Sequence, residues 1–116
     1  MSLYQGQRID GVCLVTRDGH PLSPRWSLTI RNHSPAGFNW GYEGSGPAQL
    51  ALAILLEETT VQEAQLLYQW FKRSAIARIA TDKWGMTSEG IQVLLARLRA
   101  EHPEEPAEEE EVQDEA

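Results

Sequence analysis

The chain has 116 residues and a formal net charge of −7, with 41% hydrophobic and 23% charged residues. That composition describes a single globular domain and excludes wholesale disorder. The longest apolar stretch, residues 48–56, is far short of the roughly 20 residues that span a bilayer, so no membrane association is expected.

The opening residues carry no basic region followed by an apolar run, so no secretory leader is expected. Arg8-Ile9-Asp10-Gly11-Val12 sets Asp-Gly between apolar residues, a two-residue hairpin signal because such turns need positive φ. Val12, Leu14 and Thr16 alternate with Cys13 and Val15, which predicts a strand with two largely apolar faces. Cys13 is expected to be an inert core thiol. Being the lone cysteine, it forms no intramolecular disulfide or Cys-cluster metal site. A reducing, cytoplasmic setting follows as the expectation. A second Asp-Gly, Asp18-Gly19, predicts another turn. Trp26, Leu28 and Ile30 alternate with Ser27, Thr29 and Arg31, which predicts a half-buried strand over 26–31.

Asn32-His33-Ser34-Pro35-Ala36-Gly37 reads as a loop, and Phe38-Asn39-Trp40-Gly41-Tyr42 as a short strand of alternating aromatics. Glu43-Gly44-Ser45-Gly46 then breaks the backbone before Pro47, which suits the first position of a helix. Residues 47–56 are apolar nearly all round, as in a helix buried on most sides. Thr60-Val61-Gln62-Glu63 is a capping box that opens a second helix with apolar spacing to Ile79. A third helix begins at Thr87, with Met86 and Ile91 as a hydrophobic staple. Trp84 is expected to plug the core under the connection.

The acidity is local. Residues 102–116 hold eight of the seventeen acids and none of the ten Lys and Arg, leaving residues 1–101 close to neutral. The reading is a single α+β domain over 1–101, with a disordered acidic tail over 102–116. Its architecture is a small antiparallel sheet of three to four strands followed by three helices, the first helix buried against the sheet.

The glycine segment before the buried helix carries the functional reading. Open amides ahead of a helix could meet an anion. The known phosphate motifs fail here: Pro47 stands where a Walker lysine would, Gln49 where a dinucleotide fingerprint needs glycine, and Ser45 lacks the spacers of a nucleophile elbow. The expected ligand-binding residues are Asn32, His33, Trp40, Tyr42, Gly44, Ser45, Gly46 and Gln49. No catalytic residue, metal ligand or cofactor is assigned.

Asn32-His33-Ser34-Pro35, Gly37-Phe38, Trp40-Gly41-Tyr42 and the run from Gly44 through Ser45-Gly46-Pro47-Ala48-Gln49-Leu50 to Ala53 resemble a known core. So do Tyr4, Gly6, Arg8-Ile9 and Gly11, and later Tyr68, Phe71-Lys72, Trp84 and Met86-Thr87. The resemblance is to domain-of-unknown-function family 6166, small proteins of bacteria, phages and other mobile elements, and covers roughly residues 3–98. Glu43 departs from it, since the family favours glycine there. The family implies no established activity.

The expected function is a small non-enzymatic binding module whose partner is a host protein or a small anionic, nucleotide-like ligand. One alternative is a nucleic-acid-associated regulator that uses Lys72, Arg73, Arg78, Lys83, Arg97 and Arg99, with the acidic tail as a brake. The other is a small hydrolase or transferase using His33, Glu43 and Ser45. The sequence does not set the oligomeric state.

Overall fold

The sheet grows from its two Asp-Gly turns. In the computed structural model, which describes residues 2–103, Asp10 and Gly11 have φ of 50° and 80°, and Asp18 and Gly19 have 53° and 81°. Two successive residues with positive φ give the turn whose twist matches that of its flanking strands. Strand β1 (Leu3–Ile9) therefore returns as β2 (Val12–Arg17), in register from Ile9↔Val12 to Tyr4↔Arg17. The second turn leads to β3 (His20–Pro21), which pairs only with Thr16 and Arg17. Asp18 braces this corner: its carboxylate accepts from the Leu3 N–H at 2.8 Å.

Two expected strands do not form. Residues 26–31 instead contribute most of a short helix, α1 (Arg25–Ile30). Ser23-Pro24 explains the change. Pro24 has no N–H for a ladder, and its carbonyl accepts from the Leu28 N–H (2.9 Å) and the Ser27 hydroxyl (2.9 Å), closing a helical turn. The aromatic run 38–42 stays irregular because Gly41 takes φ of 90° and its N–H bonds to the Ile76 carbonyl at 3.0 Å.

The buried helix forms as expected, as α2 (Ser45–Glu58), with every residue from Ser45 to Leu56 buried. Full burial of each Leu or Ile side chain contributes roughly 1.5–3 kcal/mol. One core cluster joins α2 to Tyr4 and Val15 of the sheet, Trp40, the inner faces of α3 (Val61–Ser74) and α4 (Ser88–Glu101), and Ile76.

Both helix starts carry their expected caps. The Thr60 hydroxyl accepts from the Glu63 N–H and the Thr87 hydroxyl from the Gly90 N–H, each at 3.1 Å. The box is only half closed, because the Glu63 carboxylate accepts instead from the Thr59 hydroxyl (2.6 Å) and Arg99 Nε (3.0 Å). Helix α3 ends earlier than its apolar spacing suggests, and a 3₁₀ turn (Ile76–Arg78) follows.

The fourth strand, β4 (Lys83–Thr87), comes after these helices and pairs antiparallel with the far side of β1, giving the order β3-β2-β1-β4. Trp84 sits on this strand, half-buried, against Gly6 and edge-on to Trp40 at 5.6 Å. The α+β architecture thus stands, with four strands, a fourth short helix and one strand inserted late among the described residues. Residues 104–116, most of the acidic tail, lie outside the described residues. No described helix is long and apolar enough to cross a membrane.

Candidate functional site

Gln49 organises the region that the sequence singles out. It lies within the first turns of α2 and is fully buried. Its Oε1 accepts from the N–H groups of His33 (2.8 Å) and Ser34 (3.1 Å), and its Nε2 donates to the Ser27 hydroxyl at 2.8 Å. One side chain thereby fixes the 33–34 loop and α1 to the central helix. His33 is held on its ring side as well, with Nε2 2.6 Å from the Tyr68 hydroxyl.

The following residues close over α2. Trp40 is buried and donates through Nε1 to the Thr81 carbonyl at 3.0 Å. Arg8 lies over its ring at 4.7 Å. The same guanidinium donates to Asn39 Oδ1 (2.6 Å), the Trp40 carbonyl (3.1 Å) and Asp82 Oδ1 (2.9 Å). Burial opposes the charge on Arg8, but Cys13 and Asp82 outweigh it and hold the guanidinium above the usual arginine range. Gly41 is required here: a Cβ would meet the Ile79 carbonyl at 2.8 Å, and its φ is left-handed.

Gly44, Ser45, Gly46 and Pro47 are buried, so the turn before α2 forms a floor, not an open mouth. Gly44 caps the helix in extended conformation without a side-chain hydrogen bond. Glu43, the departure from the family pattern, pairs with Lys72 Nζ at 3.3 Å. Lys72 is 1% exposed, and a buried ammonium needs such a partner.

The open space lies alongside this floor. A cleft of about 750 Å³ runs between β2 and the loop that carries His33, Pro35, Phe38 and Asn39. It takes in three of the expected site residues, His33, Tyr42 and Ser45. Trp40, Gly44, Gly46 and Gln49 lie buried off its lining, and Asn32 is exposed but does not line it. Cys13, expected in the core, is half-buried on the cleft wall, with Sγ 3.5 Å from Asn39 Oδ1.

Sequence reasoning overlooked the β2 side of this cleft. Pro21 and Pro24 were the available signal, because a proline-bounded β3 cannot extend along the whole of β2. None of the described residues lining the cleft is Asp, Glu, Lys or Arg, in a chain that is 23% charged. Among the described residues no cluster of His, Cys, Asp and Glu could hold a metal ion.

The basic residues of the later helices are partly committed. Lys72 is paired and buried, Arg99 is bonded to Glu63, and Arg97 lies 3.7 Å from Glu101. No curated protein and no solved structure matches the chain. A family model described as Family of unknown function (DUF6166) matches residues 4–97, and the chain belongs to that family.

Proposed function

We propose that this chain is a non-enzymatic binding module of the cell interior, and that its ligand is a segment of another protein seated in the cleft between β2 and the 33–39 loop. The carrying observation is the cleft's makeup. Its volume falls within the roughly 300–1,000 Å³ of sites that engulf a ligand, and its lining mixes apolar walls with His33, Ser34, Asn39 and Tyr42 and, among the described residues, no formal charge. A nucleotide-like anion would bring two or more charges with no Lys or Arg among the described lining residues to meet them. The buried turn at Gly44–Gly46 supports the same preference for a protein. The free thiol of Cys13 favours a reducing compartment. A phage or mobile-element setting, which the family resemblance implies, would make a host protein the partner.

The two other readings have less behind them. Nucleic acid would need basic residues of which Lys72, Arg97 and Arg99 already meet carboxylates. Hydrolysis or transfer would need His33 and Glu43, which already engage Tyr68 and Lys72.

Ala36 is exposed on the cleft wall, so Ala36→Trp narrows the cleft without touching the core. Affinity capture from the native host, with proteins and small molecules both identified, should recover a protein with the wild-type chain. Its yield should fall at least tenfold with Ala36→Trp. Equal recovery by the two, or recovery of a nucleotide instead, counts against the reading.

A further inference from the structure

We infer that the ligand binds as an added β-strand: an extended, uncharged segment of a partner protein pairs with the open edge of β2 at Val12–Leu14. This rests on the binding-module reading and names the chemistry of its partner.

The edge follows from the register. Ile9↔Val12 closes a two-residue turn, so this pair exchanges its backbone hydrogen bonds within the hairpin. Successive residues of an antiparallel strand point their amide groups to opposite sides, which turns those of Cys13 away from β1. The Val15 carbonyl, of the same parity, does point that way, because it accepts from the Leu22 N–H at 2.9 Å. Beyond Leu22 the chain turns at Ser23-Pro24 into α1. Residues Val12, Cys13 and Leu14 are thus left without a strand partner on this side among the described residues.

Protein edges are commonly blunted by charge, proline or a bulge. Val12-Cys13-Leu14 has none of these. Val12 and Leu14 are 58% and 54% exposed on the helix-free face of the sheet. Strand alternation turns Cys13 and Val15 to the opposite, more buried face, and the cleft runs along the whole edge from Gly11 to Val15. A strand laid along this edge would place alternate side chains beside Val12 and Leu14, and the others in the cleft against Phe38, Pro35 and His33. Backbone pairing would supply affinity and the cleft would supply selectivity. Because the described lining residues carry no Asp, Glu, Lys or Arg, the inward side chains of the guest are uncharged. A second copy of this chain fits less well: the inward residues of its own edge, Cys13 and Val15, are already covered by its own loop.

The test uses the full chain and random twelve-residue peptides displayed on phage, with selected peptides then synthesised. The expected binders shift the amide resonances of Cys13, His33 and Phe38. They lose at least tenfold in affinity when alternate peptide nitrogens are methylated, and similarly with Cys13→Pro, which deletes the outward N–H while leaving the β1 ladder intact. The peptide methylation series decides the matter even where Cys13→Pro does not fold. Binders that shift these resonances but tolerate methylation at every position overturn strand addition and leave the binding-module reading standing. A library that yields no binder also overturns it, with the capture experiment then judging the broader reading. Sedimentation showing a dimer that Leu14→Lys dissociates would overturn it in favour of a second copy.

Discussion

Replacing Gln49 by alanine strips the acceptor from two loop N–H groups and the donor from Ser27 at a fully buried position. Each buried polar group left unsatisfied costs about 1–3 kcal/mol. We expect Gln49→Ala to lower stability by about 3 kcal/mol, read from urea midpoints, and to broaden the His33 and Ser34 amide resonances. A loss under about 0.5 kcal/mol would mean that water replaces the side chain and that the loop is held by other contacts. The sequence places Gln49 inside an apolar helix, where an amide needs partners, but does not identify them. Those partners, Ser27, His33 and Ser34, lie fifteen or more residues upstream, two of them beyond the end of α1. Glu43 illustrates the same limit: a carboxylate beside a glycine turn is visible in the sequence, whereas the Lys72 ammonium that it meets comes from the last turn of α3.

Among the elements, those specified by local chemistry were legible and those specified by distant pairing were not. The Asp-Gly turns, the Thr60 and Thr87 caps and the apolar run of α2 depend on neighbours within a few residues. Helix α1 is ambiguous in the sequence because the six alternating residues 26–31 fit a strand as well as they fit about one and two-thirds helical turns, and the Ser23-Pro24 start is the stronger signal. Strand β4 gave little warning, with Gly85 at its centre, because pairing with β1 is what defines it. That pairing depends on Gly6, where an added Cβ would come 2.1 Å from Trp84 Nε1. Overpacking of this kind costs roughly 1–3 kcal/mol. Gly6→Ala should destabilise the wild-type chain by at least that much, and by clearly less in a Trp84→Val background, with a coupling above about 1 kcal/mol in a double-mutant cycle. Strict additivity would show that the indole swings clear and that Gly6 serves another purpose.

At the scale of the molecule, the described helices cover one face of the sheet, and the sheet is anchored to them at its opposite end from the cleft. The Tyr4 hydroxyl donates to Glu58 Oε2 at 2.7 Å, Ser88 donates to the same oxygen at 2.9 Å, and Gln92 Nε2 donates to Oε1 at 3.1 Å. One carboxylate thus joins β1, α2 and α4. Burial, and then the hydrogen bond and negative charge of Glu58, push the Tyr4 hydroxyl well above the ordinary tyrosine range. The folded chain therefore holds a proton that the unfolded chain releases near pH 10. The contribution of this proton is complete below about pH 10 and is lost as pH rises further, with a slope approaching about 1.4 kcal/mol per pH unit. Tyr4→Phe should lower stability at pH 8, where a hydrogen bond to a carboxylate is lost, yet flatten the alkaline decline, so that the urea midpoints of the two chains converge between pH 10 and 11. Parallel declines would show that the Tyr4 proton is not what sets alkaline stability. Because this anchor and the β2 edge lie at opposite ends of β1 and β2, Tyr4→Phe should leave peptide affinity at pH 8 unchanged while it weakens the fold.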